Sequence, residues 1–493
     1  MNLVEPLLRY AMQQPDKVAL SDGQVCNTYS SLVMKMKKIA QGLQQNGLIH
    51  DKVVILSTNR IEFVEVFLGA IYAGCVPIPL DPKWSATEIN AILQQCQPRM
   101  IFTENTFTEF LINQDSGISL FTFSDEEIGS YDNWLDTLKP EAEIDDTNEL
   151  LFIGFTSGTT GMPKGYMRTH LSWIKSFEAT REAFQLNNME HILAPGPLVH
   201  SLSLFTLMQS LYSGATFHIV NQFNASKVLQ LCEQIPAAVL FVVPTMIEAL
   251  MKKAIPDQTQ IQALISSGGK WSEASKNRCQ EVFGGAKLYE YYGSSEASYI
   301  SYLDIRSEDK ANSVGKPFPG VQISIRDEYF QEVPTGRIGQ LYIRSDMMFK
   351  GYYQLPEETA AVFRDGWLML GDYASMDHDG FLYMAGRAKN RMVSGGLNIF
   401  PEEVEAVLEQ IPEIHEVMVF GMPDTYWGEQ VTALVKWNGK QRLSIEEIKN
   451  YCRQYLASYK APKQLITVDE FIYTSSGKLA RQAMKDYTKR VIL

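Results

Sequence analysis

The sequence predicts an α/β protein: a large N-terminal domain of helix-covered sheets with a β-rich subdomain, and a small α+β domain at the C-terminus. Three observations carry this expectation. Short apolar runs alternate with amphipathic stretches through the first three hundred residues, the texture changes to short strands and turns near Gly315, and a compact helix–strand pattern restarts after Gly386-Arg387. Strands alternating with helices imply parallel sheets covered on their faces. A chain of 493 residues exceeds one ordinary core, so at least two domains are expected.

In order along the chain, Thr28-Tyr29-Ser30-Ser31-Leu32 opens an amphipathic helix running to about Gly47. Val53 to Leu56 is a strand, and Ile61 to Tyr72 is a helix whose apolar positions share a face and which ends at Gly74. Extended pieces follow at Val76 to Leu80, Met100 to Phe102, Thr216 to Val220 and Val239 to Val243. Beyond Gly315, the runs Val321 to Ile325, Gly339 to Arg344 and Gly380 to Tyr383 form the β-rich subdomain. In the C-terminal part, Pro401 to Ile411 is a helix with proline and acids in its first turn. Val417 to Phe420 and Val431 to Val435 are strands, and the capping box Ser444-Ile445-Glu446-Glu447 starts a helix to Leu456. The boundary is placed at Lys389, giving domains 1–388 and 389–493.

Composition narrows the function. The content is 45% hydrophobic and 20% charged, as in soluble globular proteins, and the net charge of −13 argues against nucleic acid as a partner. Cys26, Cys75, Cys96, Cys232, Cys279 and Cys452 show no metal or disulfide spacing, which suits a reducing compartment. The N-terminus has no basic segment followed by an apolar core, and the run Phe67 to Leu80 is too short to span a bilayer. A cytoplasmic protein without integral membrane association is expected.

The most informative stretch is Thr156-Ser157-Gly158-Thr159-Thr160-Gly161-Met162-Pro163-Lys164-Gly165, which follows the apolar run Leu150 to Phe155. Glycines let consecutive N–H groups converge on phosphate oxygens, the hydroxyls add donors, and Lys164 adds charge. The spacing differs from the common Gly-x4-Gly-Lys-[Ser/Thr] loop, since Pro163 precedes the lysine and Gly165 follows it. The stretch closely resembles the phosphate loop of the adenylate-forming superfamily, which holds acyl-CoA synthetases, luciferases and peptide-synthetase adenylation domains. Within that superfamily the chain is most similar to bacterial fatty-acid–CoA ligases.

Further segments resemble that family, in its order. Pro195 to Ser203 looks like the acyl-pocket motif, which implies that His200 lines or gates the acid site. Amino-acid-activating members carry an aspartate where this chain has Ser201, so the departure favours an acid without an ammonium group. Ser266-Ser267-Gly268-Gly269-Lys270 resembles the turn on which adenine packs, although Lys270 stands where a small or apolar residue is usual. Tyr289-Glu290-Tyr291-Tyr292-Gly293-Ser294-Ser295-Glu296 is similar to the Tyr-Gly-x-Thr-Glu motif, with Ser295 for threonine. The resemblance implies that Tyr292 and Gly293 face adenine, that Ser295 donates to the α-phosphate, and that Glu296 binds magnesium as a hard oxygen ligand. Asp372, in Gly366 to Asp372, and Arg387, after Gly386, match the ribose-binding pair. Lys389 falls at the hinge about which a mobile C-terminal domain swivels, and Ser394-Gly395-Gly396 with Asn398 matches the segment passing the CoA pantetheine. Tyr473-Thr474-Ser475-Ser476-Gly477-Lys478 matches the catalytic-lysine motif.

The resemblance therefore implies a ligase that uses ATP and Mg2+ to convert a carboxylic acid, favoured here as a fatty acid, into an acyl-adenylate and then transfers it to CoA. Lys478 and the metal on Glu296 neutralise the two anions that must meet, and pyrophosphate leaves from the Thr156–Gly165 loop. A stand-alone adenylating enzyme loading a carrier protein, an aryl-acid–CoA ligase, and a non-catalytic adenylate- or acyl-binding protein are the alternatives. A homodimer is compatible with the sequence, which does not fix the chain length of the acid.

Overall fold

The computed structural model describes residues 2–111, 117–123, 129–156, 163–186, 189–256, 259–269, 271–308, 310, 312–394, 397–474 and 479–492. The chain divides into two compact units. One comprises Met1–Asp309, Phe318–Val321 and Arg344–Arg364; the other comprises Lys310–Pro317, Gln322–Ile343 and Asp365–Leu493. The β-rich segments thus share a unit with residues 389–493.

The first unit contains the helix-covered sheets. One has the strand order Ser298–Asp304, Lys287–Ser294, Ile261–Ser266, Ala238–Val242, His191–Leu193, Thr216–His218, Val18–Ser21, Cys26–Thr28. Its interior pairs are parallel, and antiparallel hairpins close each end of that order. A second, all-parallel sheet runs Val76–Leu80, Lys52–Leu56, Met100–Thr103, Ser119–Thr122. Val53 to Leu56 and Met100 to Thr103 are buried throughout, as a strand covered on both faces must be.

The helix Ile61–Tyr72 is buried all round except at Glu62. Gly69 lets the helix Tyr29–Gln45 approach it closely, since a Cβ there would lie 2.5 Å from Ile39 Cγ2. Glu65, on the same helix, is fully buried and accepts hydrogen bonds from Asn27 (2.5 Å), Lys35 (2.7 Å) and Tyr131 (2.7 Å). A charge so deep is tolerated because its lone pairs are satisfied.

The segments that flank residues 157–162 form a third, antiparallel sheet. Leu150–Thr156 pairs with Lys164–Thr169, which in turn pairs with Gly351–Tyr352.

The second unit holds two sheets, the C-terminal one mixed, since Gln464–Thr467 runs parallel to Gly428–Trp437. Gly339–Arg344 pairs with Gln322–Arg326, Trp367–Leu368 and Asp372–Met376, and the last of these pairs with Leu382–Arg387. The C-terminal sheet is built on the long hairpin Ile414–Asp424 and Gly428–Trp437. Alternation sorts its side chains to two faces: Val417, Val419, Val431, Ala433 and Val435 pack with the helices Pro401–Leu408 and Ile445–Cys452. Met418, Phe420 and Leu434 pack with Val468, Phe471 and Met484.

Two helices end earlier than expected. Pro401–Leu408 stops before Ile411 because Pro412 disfavours a helical residue ahead of it. Ile445–Cys452 gives way to tighter turns in which Gln454 and Tyr455 bond carbonyls three residues back.

His170, at the start of the helix His170–Phe184, pins the N-terminal segment by accepting the Leu3 N–H at Nδ1 (3.1 Å). Burial pulls its pKa from 6.5 down to about 4. The unfolded chain therefore binds a proton between those values that the folded chain refuses, and stability falls as pH drops through that window. Urea midpoints at pH 7.5 and pH 5 should show about 2 kcal/mol of acid-dependent loss from this group, on the scale of about 1.4 kcal/mol per unit. His170→Gln should remove that part of the slope; an unchanged slope in the variant would refute the assignment.

Candidate active site

The hairpin Leu150–Thr156/Lys164–Thr169 places Thr156 opposite Lys164 at the base of the loop. Ser157, Gly158, Thr159, Thr160, Gly161 and Met162 lie outside the described residues. Gly154 is dictated by a close approach: a Cβ there would stand 2.3 Å from the Tyr166 hydroxyl. The Lys164 ammonium is ion-paired with Glu358 and lies 5.9 Å from the centre of the Tyr352 ring. A cavity of about 210 Å3 opens beside this pair, lined by Ala91, Ile92, Gln95, Pro163 and Leu355 as well as the two charged residues.

Ser295 and Glu296 occupy the turn between the antiparallel strands Lys287–Ser294 and Ser298–Asp304. Gly293 is required there, because a Cβ would fall 2.2 Å from the Ser298 carbonyl oxygen. The turn is held from behind by Arg168, whose Nη1 donates to the carbonyls of Ser295 (3.2 Å) and Glu296 (3.3 Å). Its Nη2 donates to the Met347 carbonyl (2.7 Å). Arg168 is 1% exposed, and burial pulls its pKa down to about 10, with Tyr166 and Glu296 resisting. It therefore stays charged at neutral pH.

The Phe349 N–H donates to the Glu296 carbonyl (2.7 Å), and the Tyr352 hydroxyl donates to Glu296 Oε1 (3.0 Å). Burial, then the Glu296 carboxylate, push the Tyr352 phenol well above its usual value, so it remains a donor. Among the described residues Glu296 Oε2 has no hydrogen-bond partner, and the residue is partly exposed. One anionic oxygen oriented by a phenol and a second one open is a donor set that fits a magnesium ion already carrying phosphate.

On the acid side, the Ser201 hydroxyl is shared between Tyr166 Oη (2.7 Å) and Ser295 Oγ (2.9 Å). These three hydroxyls form a continuous chain from the phosphate hairpin to the Glu296 turn. His200 precedes the helix Ser201–Tyr212, and its Nε2 is 3.0 Å from Asp81 Oδ2. Burial would raise the Asp81 carboxyl, but the His200 ring and the Lys83 N–H outweigh it and hold it below the usual carboxylate range. The turn expected to pack adenine follows the strand Ile261–Ser266, with Gly268 at φ +86°, where only glycine is unstrained. Gly269 lies against Pro244, and Lys270 is outside the described residues. Tyr292 and Gly293 straddle an irregularity in the strand register, which gives that strand a local kink.

In the second unit, Asp372 and Arg387 are cross-strand partners and Arg387 Nε donates to Asp372 Oδ1 (2.9 Å). Lys389 sits in the turn that follows. Ser394 is buried and accepts from Lys463 Nζ (3.3 Å), while Gly395 and Gly396, which follow it, are outside the described residues. Lys478, with Ser475 to Gly477, also lies outside them. The chain on either side of residues 475–478 is clamped: Tyr473 bridges Leu479, the Ala480 N–H donates to the Ile472 carbonyl (2.8 Å), and Arg481 is ion-paired with buried Glu405.

The structure thus brings Thr156, Lys164, His200, Ser295 and Glu296 together in one unit through residues that sequence motifs do not mark: Tyr166, Arg168, Asp81, Tyr352 and Glu358. The only signal for two of them is periodicity, since Tyr166 and Arg168 are two residues apart on a strand and both are buried.

Residues 7–353 match the AMP-binding enzyme family, and residues 403–478 match its C-terminal domain. A Bacillus subtilis protein named as an uncharacterized acyl–CoA ligase, YhfT, is 34% identical over 98% of this chain and 97% of its own. A Staphylococcus haemolyticus protein named as a long chain fatty acid-CoA ligase, VraA, is 32% identical over 98% of each chain. The structure of o-succinylbenzoate CoA synthetase (MenE) from Bacillus subtilis, with its acyl-adenylate intermediate, superposes with a TM-score of 0.85 at 27% identity over 98% of both chains. The chain belongs to the AMP-binding enzyme family.

Proposed function

We propose that the protein is an AMP-forming acyl-CoA ligase that activates a fatty acid with ATP and passes the acyl group to CoA. The observation that carries this reading is the joining of the Ser295–Glu296 turn to Ser201 by hydroxyls alone. A carboxylate at Ser201 would select a substrate ammonium, whereas a hydroxyl suits a plain carboxylic acid. The names of YhfT and VraA support the acyl-CoA product and the fatty acid. The likeness to MenE supports a second reading, an aryl acid in the same chemistry.

In this reading the acid's carboxylate attacks the α-phosphorus, and pyrophosphate leaves along the loop that ends at Lys164. A magnesium ion held by Glu296 supplies charge neutralisation for the phosphates. Ser295 donates to the α-phosphate, Tyr292 and the Gly268-Gly269 turn hold adenine, and Asp372 accepts the ribose hydroxyls beside Arg387. Lys478 neutralises the approaching carboxylate. Rotation about Lys389 then withdraws it and presents the Ser394–Gly396 segment to CoA, whose thiol displaces AMP from the acyl-adenylate. The two domains of the cycle are residues 1–388 and 389–493.

Acid-dependent AMP and pyrophosphate formation over a panel of fatty, aryl and amino acids, with and without CoA, tests this directly. A fatty acid should give AMP and a thioester only when CoA is present; an adenylate that accumulates regardless of CoA would point to a carrier protein as acceptor.

Lys478→Ala and Glu296→Gln should each lower acid-dependent pyrophosphate release by about two to three orders of magnitude, the range for removing a group that stabilises transition-state charge. Thiolysis of a supplied acyl-adenylate by CoA, giving the thioester and AMP, should survive Lys478→Ala. Loss of both half-reactions in that variant would remove Lys478 from its assigned step.

A further inference from the structure

We propose that Arg168, together with Tyr352, is a positioning residue that sets the Glu296 carboxylate for its divalent cation. The inference rests on the reading of Glu296 as the magnesium ligand. Arg168 is fully buried, yet among the described residues it forms no ion pair, and its Nε has no hydrogen-bond partner. A guanidinium taken out of water without a carboxylate is costly, and stability alone would favour an apolar side chain at that strand position.

Its fork is spent on backbone. Two donors reach consecutive carbonyls of the turn, at Ser295 and Glu296, and a third reaches Met347. The peptide planes of the two residues are thereby fixed, and with them the directions in which Ser295 Oγ and the Glu296 carboxylate leave the chain.

The bond to Met347 places a second device. From Met347 the chain runs back to the turn and to the hairpin: the Phe349 N–H bonds the Glu296 carbonyl, the Lys350 N–H bonds the Met167 carbonyl (2.9 Å), and Tyr352 pairs with Tyr166. That path delivers the Tyr352 hydroxyl to Glu296 Oε1. One residue therefore holds Glu296 by its backbone and positions the segment that holds it by its carboxylate. Oε1 is kept by the phenol, leaving Oε2 for the cation. Outer-shell partners of this kind change metal affinity by about 10- to 100-fold when removed.

The test is binding of Mn2+ to the full-length protein in the presence of a non-hydrolysable ATP analogue, followed by the electron paramagnetic resonance of free Mn2+, with circular dichroism to confirm folding. Arg168→Lys keeps the charge but loses the fork, Arg168→Met loses both, and Tyr352→Phe removes one hydroxyl. Each should weaken Mn2+ by about tenfold or more, a larger loss than that in metal-free binding of the analogue. Folded Arg168→Lys or Arg168→Met with Mn2+ affinity within twofold of the parent overturns the proposal. Where neither arginine variant folds, Tyr352→Phe decides it by the same criterion. Glu296→Gln serves as the reference: unaltered Mn2+ binding there would refute the metal assignment itself, a failure distinct from that of Arg168.

Discussion

A positive charge buried without a carboxylate needs its field absorbed by dipoles, and in this protein backbone carbonyls do that work. The carbonyls of Ser295, Glu296 and Met347 converge on Arg168 from two separate segments, and the arginine itself stands on a third. Losing any one contact would leave a charged donor unsatisfied in a low-dielectric setting, so the three segments are bound to a common geometry. The site's precision follows from that constraint more than from any one motif. Glu296 is displayed on a hairpin turn, an element that is otherwise free to shift by the fraction of an ångström that matters for phosphoryl chemistry.

The antiparallel setting of the phosphate loop has a related consequence. A loop that ends in a helix can use that helix's N-terminal N–H groups and dipole for phosphate. Here the chain leaves the loop as the strand Lys164–Thr169, whose amides are committed to pairing with Leu150–Thr156 and Gly351–Tyr352. Charge at the base of the loop is left to side chains. Lys164 carries it, its ammonium held close by the Glu358 carboxylate. A half-buried pair of this kind is worth about 1 kcal/mol, so the ammonium can exchange partners.

The sequence disclosed what is local. Alternating apolar runs revealed the parallel sheets, because a strand buried on both faces must be apolar along its length. Glycines at Gly268 and Gly293 marked their turns because backbone conformation or a close carbonyl excludes a Cβ. Ser295 and Glu296 were legible from their motif. Pairings between distant segments were not: Leu150–Thr156 reads as one more buried strand whichever way its partner runs. Arg168 reads as an ordinary surface cation until the strand's register turns it inward, and Tyr352 is one of two adjacent tyrosines, of which the pairing with Tyr166 selects one. The helix ends at Leu408 and Cys452 were misjudged because periodicity of side chains outlasts the backbone bonds that define a helix.

The hydroxyl chain Tyr166–Ser201–Ser295 links these geometric constraints to the choice of acid. Burial holds the Tyr166 phenol above its usual value, so it stays protonated, and two serines continue the chain to the phosphate-facing turn. Hydroxyls donate and accept, and each proton can rotate between partners. In the proposed reaction a substrate carboxylate arriving here needs donors; once it has become part of a mixed anhydride its carbonyl needs fewer. A fixed carboxylate at Ser201 offers acceptors only, and its charge would oppose both the incoming acid and the triphosphate. Under the proposed function, the neutral chain follows the change in charge on the substrate without a buried ion of its own.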